Sequence, residues 1–264
     1  MRIDLVLPSE SATADTRTVA DLGVTAENHG FGAVWLPDHL LPPGGYNHTY
    51  GGVHEPLMTL AFVAARTRRL LLGTSVLITP LREPILLAKQ TATLDALAPC
   101  RVLLGVGTGW ERSEFDAVGA EFTGRGSRTD EILETVRALH ATGRGLGGGV
   151  FAPTPARPIP LVVGGTSLPA LRRAARFGDT WQAVARTPDQ FRADRDRLRG
   201  LTDRDVSAGA RIAWPKNGGL PALLTEIDRW RRVEPAHLAI WIGELPHAAE
   251  RIATLGTALQ QSPI

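Results

Sequence analysis

Asp38 and His39 stand together at the end of a short apolar run, FGAVWLPDHL. An imidazole titrates near neutral pH, so it can donate a hydrogen bond or move a proton, and a loop histidine gains interest when it closes a strand. A second candidate is the glycine series Gly105-Val106-Gly107-Thr108-Gly109, which follows the run RVLLGVGTGW without a break. A dinucleotide fingerprint needs G-x-G-x-x-G opening directly into a helix, with an acidic residue about 20 positions on. Here the third glycine comes one residue early and the next clear helix starts much later, so that fingerprint is excluded. Spacing alone leaves two readings, a tight turn or backbone amides brought close to a ligand. Gly164-Gly165-Thr166 precedes a helical stretch, and amides at a helix N-terminus suit a phosphate. Glu111, Glu114 and Asp116 form either a carboxylate cluster or the acidic first turn of a short helix, and the helix dipole favours the second. His48 and His54 have no metal-ligand spacing, so no metal is expected.

These residues need elements to position them, and the chain alternates regularly. Strands are expected at Arg2–Leu7, Ala33–Leu36, Leu70–Leu77, Val102–Val106, Pro160–Val163, Thr180–Val184, Ala210–Trp214 and His237–Ile242. Helices are expected at Thr16–His29, Pro56–Arg66, Pro84–Leu97, Ser127–Ala141, Leu168–Phe177, Pro188–Leu201, Pro221–Val233 and Ala248–Leu259. Ser127 and Asp130 resemble a capping box for the fourth of these helices. Continuous apolar strands imply a sheet buried on both faces, and eight such units imply an α/β fold, a single-domain (β/α)8 TIM barrel over residues 1–264. A doubly wound open sheet is the alternative. In a barrel the strand C-termini build the site, and the candidates above all fall at such ends. Two segments interrupt the rhythm, LLPPGGYNHTYGGVHEP after the second strand and the glycine-rich GRGLGGGVFAPTPARP before the fifth, to which no structure is assigned.

Composition narrows the function classes. The chain is 43% hydrophobic and 21% charged, as in an ordinary soluble globule, and its net charge of +2 gives no reason to expect a nucleic-acid partner. No apolar run approaches the roughly 18 residues that would span a membrane, and MRIDLVLP is too short and charged for a signal peptide. Cys100 is the sole cysteine, which excludes an intrachain disulfide and fits a reducing, cytoplasmic setting.

The stretch from LLLGTSVLITPLREPILLAKQTATLDALAPC through RVLLGVGTGWERSEFDAVGAEFTGRGSRTDEILETVRAL resembles the third and fourth units of the luciferase-like monooxygenase superfamily, nearest its actinobacterial branch dependent on coenzyme F420. FGAVWLPDHL resembles the second strand of that family, and PIPLVVGGTSLPALRRAARFGDTWQAV its Gly-Gly phosphate turn. The resemblance covers roughly residues 1 to 185 and implies a barrel, usually a homodimer, that binds a deazaflavin or reduced flavin at its strand C-termini. It places Asp38 and His39 beside the reactive ring as catalytic candidates. It gives cofactor contacts to Asp38, to Thr74, Ser75 and Val76 with a cis peptide at Ser75–Val76, to Gly107, Thr108 and Gly109, and to Gly164, Gly165 and Thr166. Trp110 stands where sugar-phosphate dehydrogenases of this group carry a catalytic carboxylate, so that substrate class is in doubt, and Trp110 and Tyr46 become candidates for a substrate pocket. The apolar helix EPLMTLAFVAART fits either a dimer surface or a place in the barrel wall. The function implied is hydride exchange between F420 and a small organic substrate. The alternatives are an FMN-dependent monooxygenase and a non-catalytic barrel that has lost its cofactor, the last motivated by the missing carboxylate and a connector shorter than in relatives.

Overall fold

Nine parallel strand segments close into an eight-stranded barrel in the computed structural model, which describes residues 1–10, 14–41 and 54–261. The chain runs β1 (Arg2–Val6), α1 (Thr16–Asn28), β2 (Ala33–Leu36), α2 (Pro56–Arg66), β3 (Leu71–Thr74), β4 (Leu77–Ile78), α3 (Pro84–Leu97) and β5 (Val102–Gly107). It continues through α4 (Arg112–Ala117), α5 (Arg125–Thr142), β6 (Leu161–Gly164), α6 (Leu168–Phe177), β7 (Thr180–Val184), α7 (Pro188–Arg199), β8 (Ser207–Ala213), α8 (Gly219–Arg231), β9 (His237–Trp241) and α9 (Leu245–Gln261). β1 pairs with both β2 and β9, and β5 with both halves of the third barrel strand, β3 and β4. Closure overturns the open-sheet alternative. Several helix starts follow from local chemistry: Glu55, Glu83, Ser167 and Thr187 cap α2, α3, α6 and α7 through their side chains, each with proline in the first turn.

Three sequence expectations need correction. The third strand is not continuous from Leu70 to Leu77 but breaks at Ser75 and Val76, whose peptide is cis as the family resemblance implies. The expected capping box at Ser127 does not form. α5 begins two residues earlier behind Gly124 in the left-handed region, and the Asp130 carboxylate instead accepts from Arg173 Nε at 2.5 Å. The seventh barrel strand, β8, starts at Ser207, three residues before the apolar run that marked it, because its pairing with β7 begins there. The glycine-rich connector holds a single 3-10 turn at Leu146–Gly148, and Arg144 bridges antiparallel to Val150.

Strand alternation sorts side chains into two cores. Leu5, Val34, Leu72, Leu104, Val163 and Ile240 face outward into the layer shared with the helices. Val6, Ala33, Trp35, Val162 and Ala239 fill the barrel interior. That interior also carries a polar column. Asp4 is fully buried and accepts from Arg2 Nε at 2.7 Å and from Trp35 Nε1 at 3.1 Å. The His237 ring stacks on Trp35 with centroids 5.4 Å apart, and Gln182 Nε2 donates to His237 Nε2 at 3.0 Å. Gly209 makes this possible, since a Cβ there would lie 2.0 Å from the imidazole.

Burial holds the His237 ring neutral and pushes its pKa down from 6.5 to about 4, with Asp4 opposing the shift and Arg2 adding to it. Above about pH 6.5 the ring is neutral both folded and unfolded and costs nothing. As the pH falls from there to about 4 the unfolded chain takes up a proton that the native ring refuses, so about 3 kcal/mol of stability is lost across that window. Urea melts at stepped pH should show that slope, and His237→Phe should flatten it. An equal slope in the variant would assign the acid sensitivity to other groups.

Candidate active site

The mouth of the barrel is organised by Asp38, which follows β2 and is 3% exposed. Its Oδ2 accepts from the Ile78 amide at 2.8 Å and its Oδ1 from Arg82 Nη2 at 2.6 Å. Arg82 also donates from Nη1 to Glu55 Oε1 at 2.9 Å. Burial raises the Asp38 carboxyl above its ordinary value against the opposing pull of Arg82. Burial also works against the Arg82 charge, but Asp38 and Glu55 together carry Arg82 above its usual value. Both Asp38 oxygens are engaged, so the residue holds the end of β2 to the restart of the third strand at Ile78.

His39 is turned the other way. Its Nδ1 lies 2.6 Å from Glu114 Oε2, both side chains are buried, and the indole of Trp110 meets the imidazole edge-on with centroids 6.0 Å apart. Glu114 Oε1 also accepts from the amides of Leu40 at 2.8 Å and Leu41 at 3.0 Å. The acidic cluster is therefore divided. Glu111 caps the expected short helix, α4, by accepting from Ser113, whereas Glu114 points inward at the histidine loop. Trp110 is 56% exposed at the rim. Tyr46, the other pocket candidate, lies outside the described residues.

Glu10, just beyond β1, was not among the sequence candidates. Burial raises its carboxyl above the ordinary range, opposed by its own backbone amide, by the charges of Arg211 and His39, and by Trp241. Glu10, His39 and Arg211 thus share one electrostatic neighbourhood at the strand C-termini. A signal was available: Pro8-Ser9-Glu10 closes a strand as Pro37-Asp38-His39 does, and the same barrel rule applies to both.

The third-strand break is built from close packing. The Thr74 hydroxyl, expected at the cofactor, donates to Gly105 O at 2.7 Å and accepts from Gly105 N at 2.9 Å, so it is engaged by the backbone of β5. The Ser75 hydroxyl donates to Gln182 Oε1 at 2.6 Å, and its carbonyl accepts from Arg211 Nη1 at 2.8 Å. Val76 fills the space left by two glycines, because a Cβ on Gly107 would lie 2.5 Å from it and one on Gly164 2.7 Å. A Cβ on Gly109 would lie 2.6 Å from Ile78. The absent side chains of this glycine series are accounted for by packing against the preceding barrel strand, a reason that spacing did not offer. Gly165 has φ +109° and its carbonyl accepts from Trp181 Nε1 at 2.7 Å, and Thr166 leads through the Ser167 cap into α6. Thr108 follows the last residue of β5 at the same rim. Among the described residues no group of three or more His, Cys, Asp or Glu side chains converges on a metal position, and no helix is long and apolar enough to cross a membrane.

Known proteins share this architecture. The family model described as luciferase-like monooxygenase matches residues 1–214. An F420-dependent glucose-6-phosphate dehydrogenase of Nakamurella multipartita is 32% identical over 206 residues, which cover 74% of this chain and 59% of that protein, so the chain spans less than two thirds of it. An uncharacterized protein of Mycobacterium tuberculosis is 34% identical over 208 residues, covering 71% of this chain and 70% of that one. Among solved structures, an F420-dependent secondary alcohol dehydrogenase in complex with an F420-acetone adduct superposes with a TM-score of 0.78 at 16% identity, covering 96% of this chain and 97% of that one. The EDTA monooxygenase of Chelativorans sp. superposes with a TM-score of 0.76 at 15% identity, covering 100% and 94%. At such identities these likenesses establish the barrel fold alone. The family match over residues 1–214 and the relatives above 30% identity go further: the chain belongs to the luciferase-like monooxygenase family.

Proposed function

We propose that the protein is an oxidoreductase that exchanges hydride between coenzyme F420 and a small organic substrate at the C-terminal mouth of the barrel. The observation that carries this reading is His39, held at the end of β2 by Glu114 with Nδ1 2.6 Å from Oε2 and with Glu10 in its electrostatic neighbourhood, in a chain 32% identical to an F420-dependent dehydrogenase. The mouth fits such a group. It offers the Val76 bulge, packed against Gly107 and Gly164, as an apolar floor and the Gly165-Thr166 turn before α6 as a cradle for phosphate. F420, when bound, supplies a carbon that takes or gives hydride, and the protein supplies orientation and proton handling.

The division of labour among the residues follows from their contacts. Hydride leaving or joining a substrate carbon leaves a proton to be moved on the neighbouring heteroatom, and His39 accepts or returns it. Glu10 is the second proton holder. Asp38, engaged with Arg82 and Ile78, positions His39 and the bulge. Trp110 walls the substrate side. A homodimer covering the exposed Met58 and Phe62 of α2 and Ile85 and Leu86 of α3 completes the proposal, with the cytoplasm as its setting.

FMN is the competing cofactor, and side-by-side titration of the purified protein with F420 and FMN separates the two. F420 should bind more tightly. Submicromolar FMN binding with no measurable F420 binding would replace this reading with the monooxygenase one, and binding of neither would leave a non-catalytic barrel.

His39→Asn keeps a donor toward Glu114 but cannot carry a proton. It should lower kcat by about 10²–10⁴ with the melting temperature nearly unchanged. Wild-type turnover with saturating cofactor would make His39 a bystander.

Glu10→Gln separates function from stability. Because the folded carboxyl is raised, the native state resists its ionisation, and stability is lost as the pH climbs through the raised value. A neutral glutamine removes that cost at pH 7 to 8. The variant should melt higher than the wild type at that pH, while kcat falls at least about 10²-fold. A lower melting temperature at that pH would contradict the assignment of Glu10 as a carboxyl held for function.

A further inference from the structure

We infer that Glu114 is the positioning residue that fixes the tautomer of His39, an inference that rests on the proton-handling role proposed for His39. Glu114 is 1% exposed and lies 75 residues along the chain from His39. Its two oxygens divide their work. Oε1 takes the amides of Leu40 and Leu41, and Oε2 takes the imidazole Nδ1 at 2.6 Å. A carboxylate can only accept, so the proton between Oε2 and the ring belongs to Nδ1. In the neutral ring the lone pair is then on Nε2, the nitrogen on the far side from Glu114.

The supporting structure is consistent with that task. Phe115, the next residue, is fully buried, packs edge-on against Phe122 with centroids 5.2 Å apart, and contacts the rim beside Gly109. It anchors α4, so Glu114 is delivered from a fixed helix rather than from a mobile loop. The edge-on contact of Trp110 restrains the ring about its other axis. A buried carboxylate whose three donors all come from residues 39 to 41 holds both the strand-end segment and the direction of the histidine's lone pair. A buried anion serving only the loop would need the two amides, not the ring.

Glu114→Gln tests this cleanly, because glutamine can keep Oε1 on the two amides while its Nε2 replaces Oε2. An amide nitrogen can only donate, so Nδ1 must become the acceptor and the ring proton must move to Nε2. Nitrogen-15 NMR of labelled His39, recorded on the protein without added cofactor at a pH where the ring is neutral, should show Nδ1–H in the wild type and Nε2–H in the variant. With cofactor and substrate, kcat should fall by about 10²–10⁴ while KM changes by no more than roughly threefold, since a wrong tautomer disables proton transfer and not binding. A wild-type spectrum showing Nε2–H overturns the inference without any variant. So does an unchanged tautomer in Glu114→Gln, or a reversed tautomer with wild-type turnover. The tautomer measurement needs no F420, so a failure of the cofactor reading appears separately, in the titrations.

Discussion

A carboxylate that leaves water must find partners, and at this barrel mouth the buried carboxylate of Asp38 dictates much of what surrounds it. It draws in the Arg82 guanidinium, which brings the segment before α3 over the rim, and Arg82 in turn reaches Glu55, the cap of α2. It also takes the Ile78 amide, which a broken strand would otherwise leave unpaired. Removing one partner of such a pair leaves an uncompensated charge, a loss of about 3–5 kcal/mol in buried pairs. The position of His39 is inherited from this arrangement, because the residue adjoining an immobilised aspartate has little freedom in where its backbone goes.

Much of the fold was legible because it is written in local periodicity. Short continuous apolar runs, helices opened by proline and a side-chain cap, and their strict alternation point to parallel strands wrapped by helices. The errors fall where a partner far along the chain decides. Asp130 reads by spacing as the acidic partner of a capping box at Ser127, yet Arg173 takes it. The early start of β8 comes from pairing with β7, not from its own composition. The break at Ser75 and Val76 has no mark in the apolar pattern and entered through family resemblance.

The site was legible in part for the same reason. Asp38 and His39 are adjacent and close a strand, so they could be found together. Glu114 sits in an acidic helical turn whose ordinary explanation is the helix dipole, and nothing local distinguishes it from Glu111 and Asp116. Its burial and its reach to His39 exist only once β5 has brought α4 beside the end of β2. The glycines were visible, but their reason was not: they accommodate Thr74, Val76 and Ile78 from the preceding barrel strand.

The seating of Val76 between Gly107 and Gly164 has an evolutionary consequence. A methyl group added at either glycine would collide with the valine, and one at Gly105 would lie 1.7 Å from Thr74 O, so the floor of the mouth tolerates almost no side-chain variation. The side chains of Leu40 and Leu41, in contrast, are exposed at the rim and can change without disturbing a neighbour's backbone. Descendants of this sequence can therefore acquire new substrates by drift at the rim, whereas an altered floor would require several simultaneous substitutions. Ligand recognition and barrel closure can diverge at different rates within a single chain.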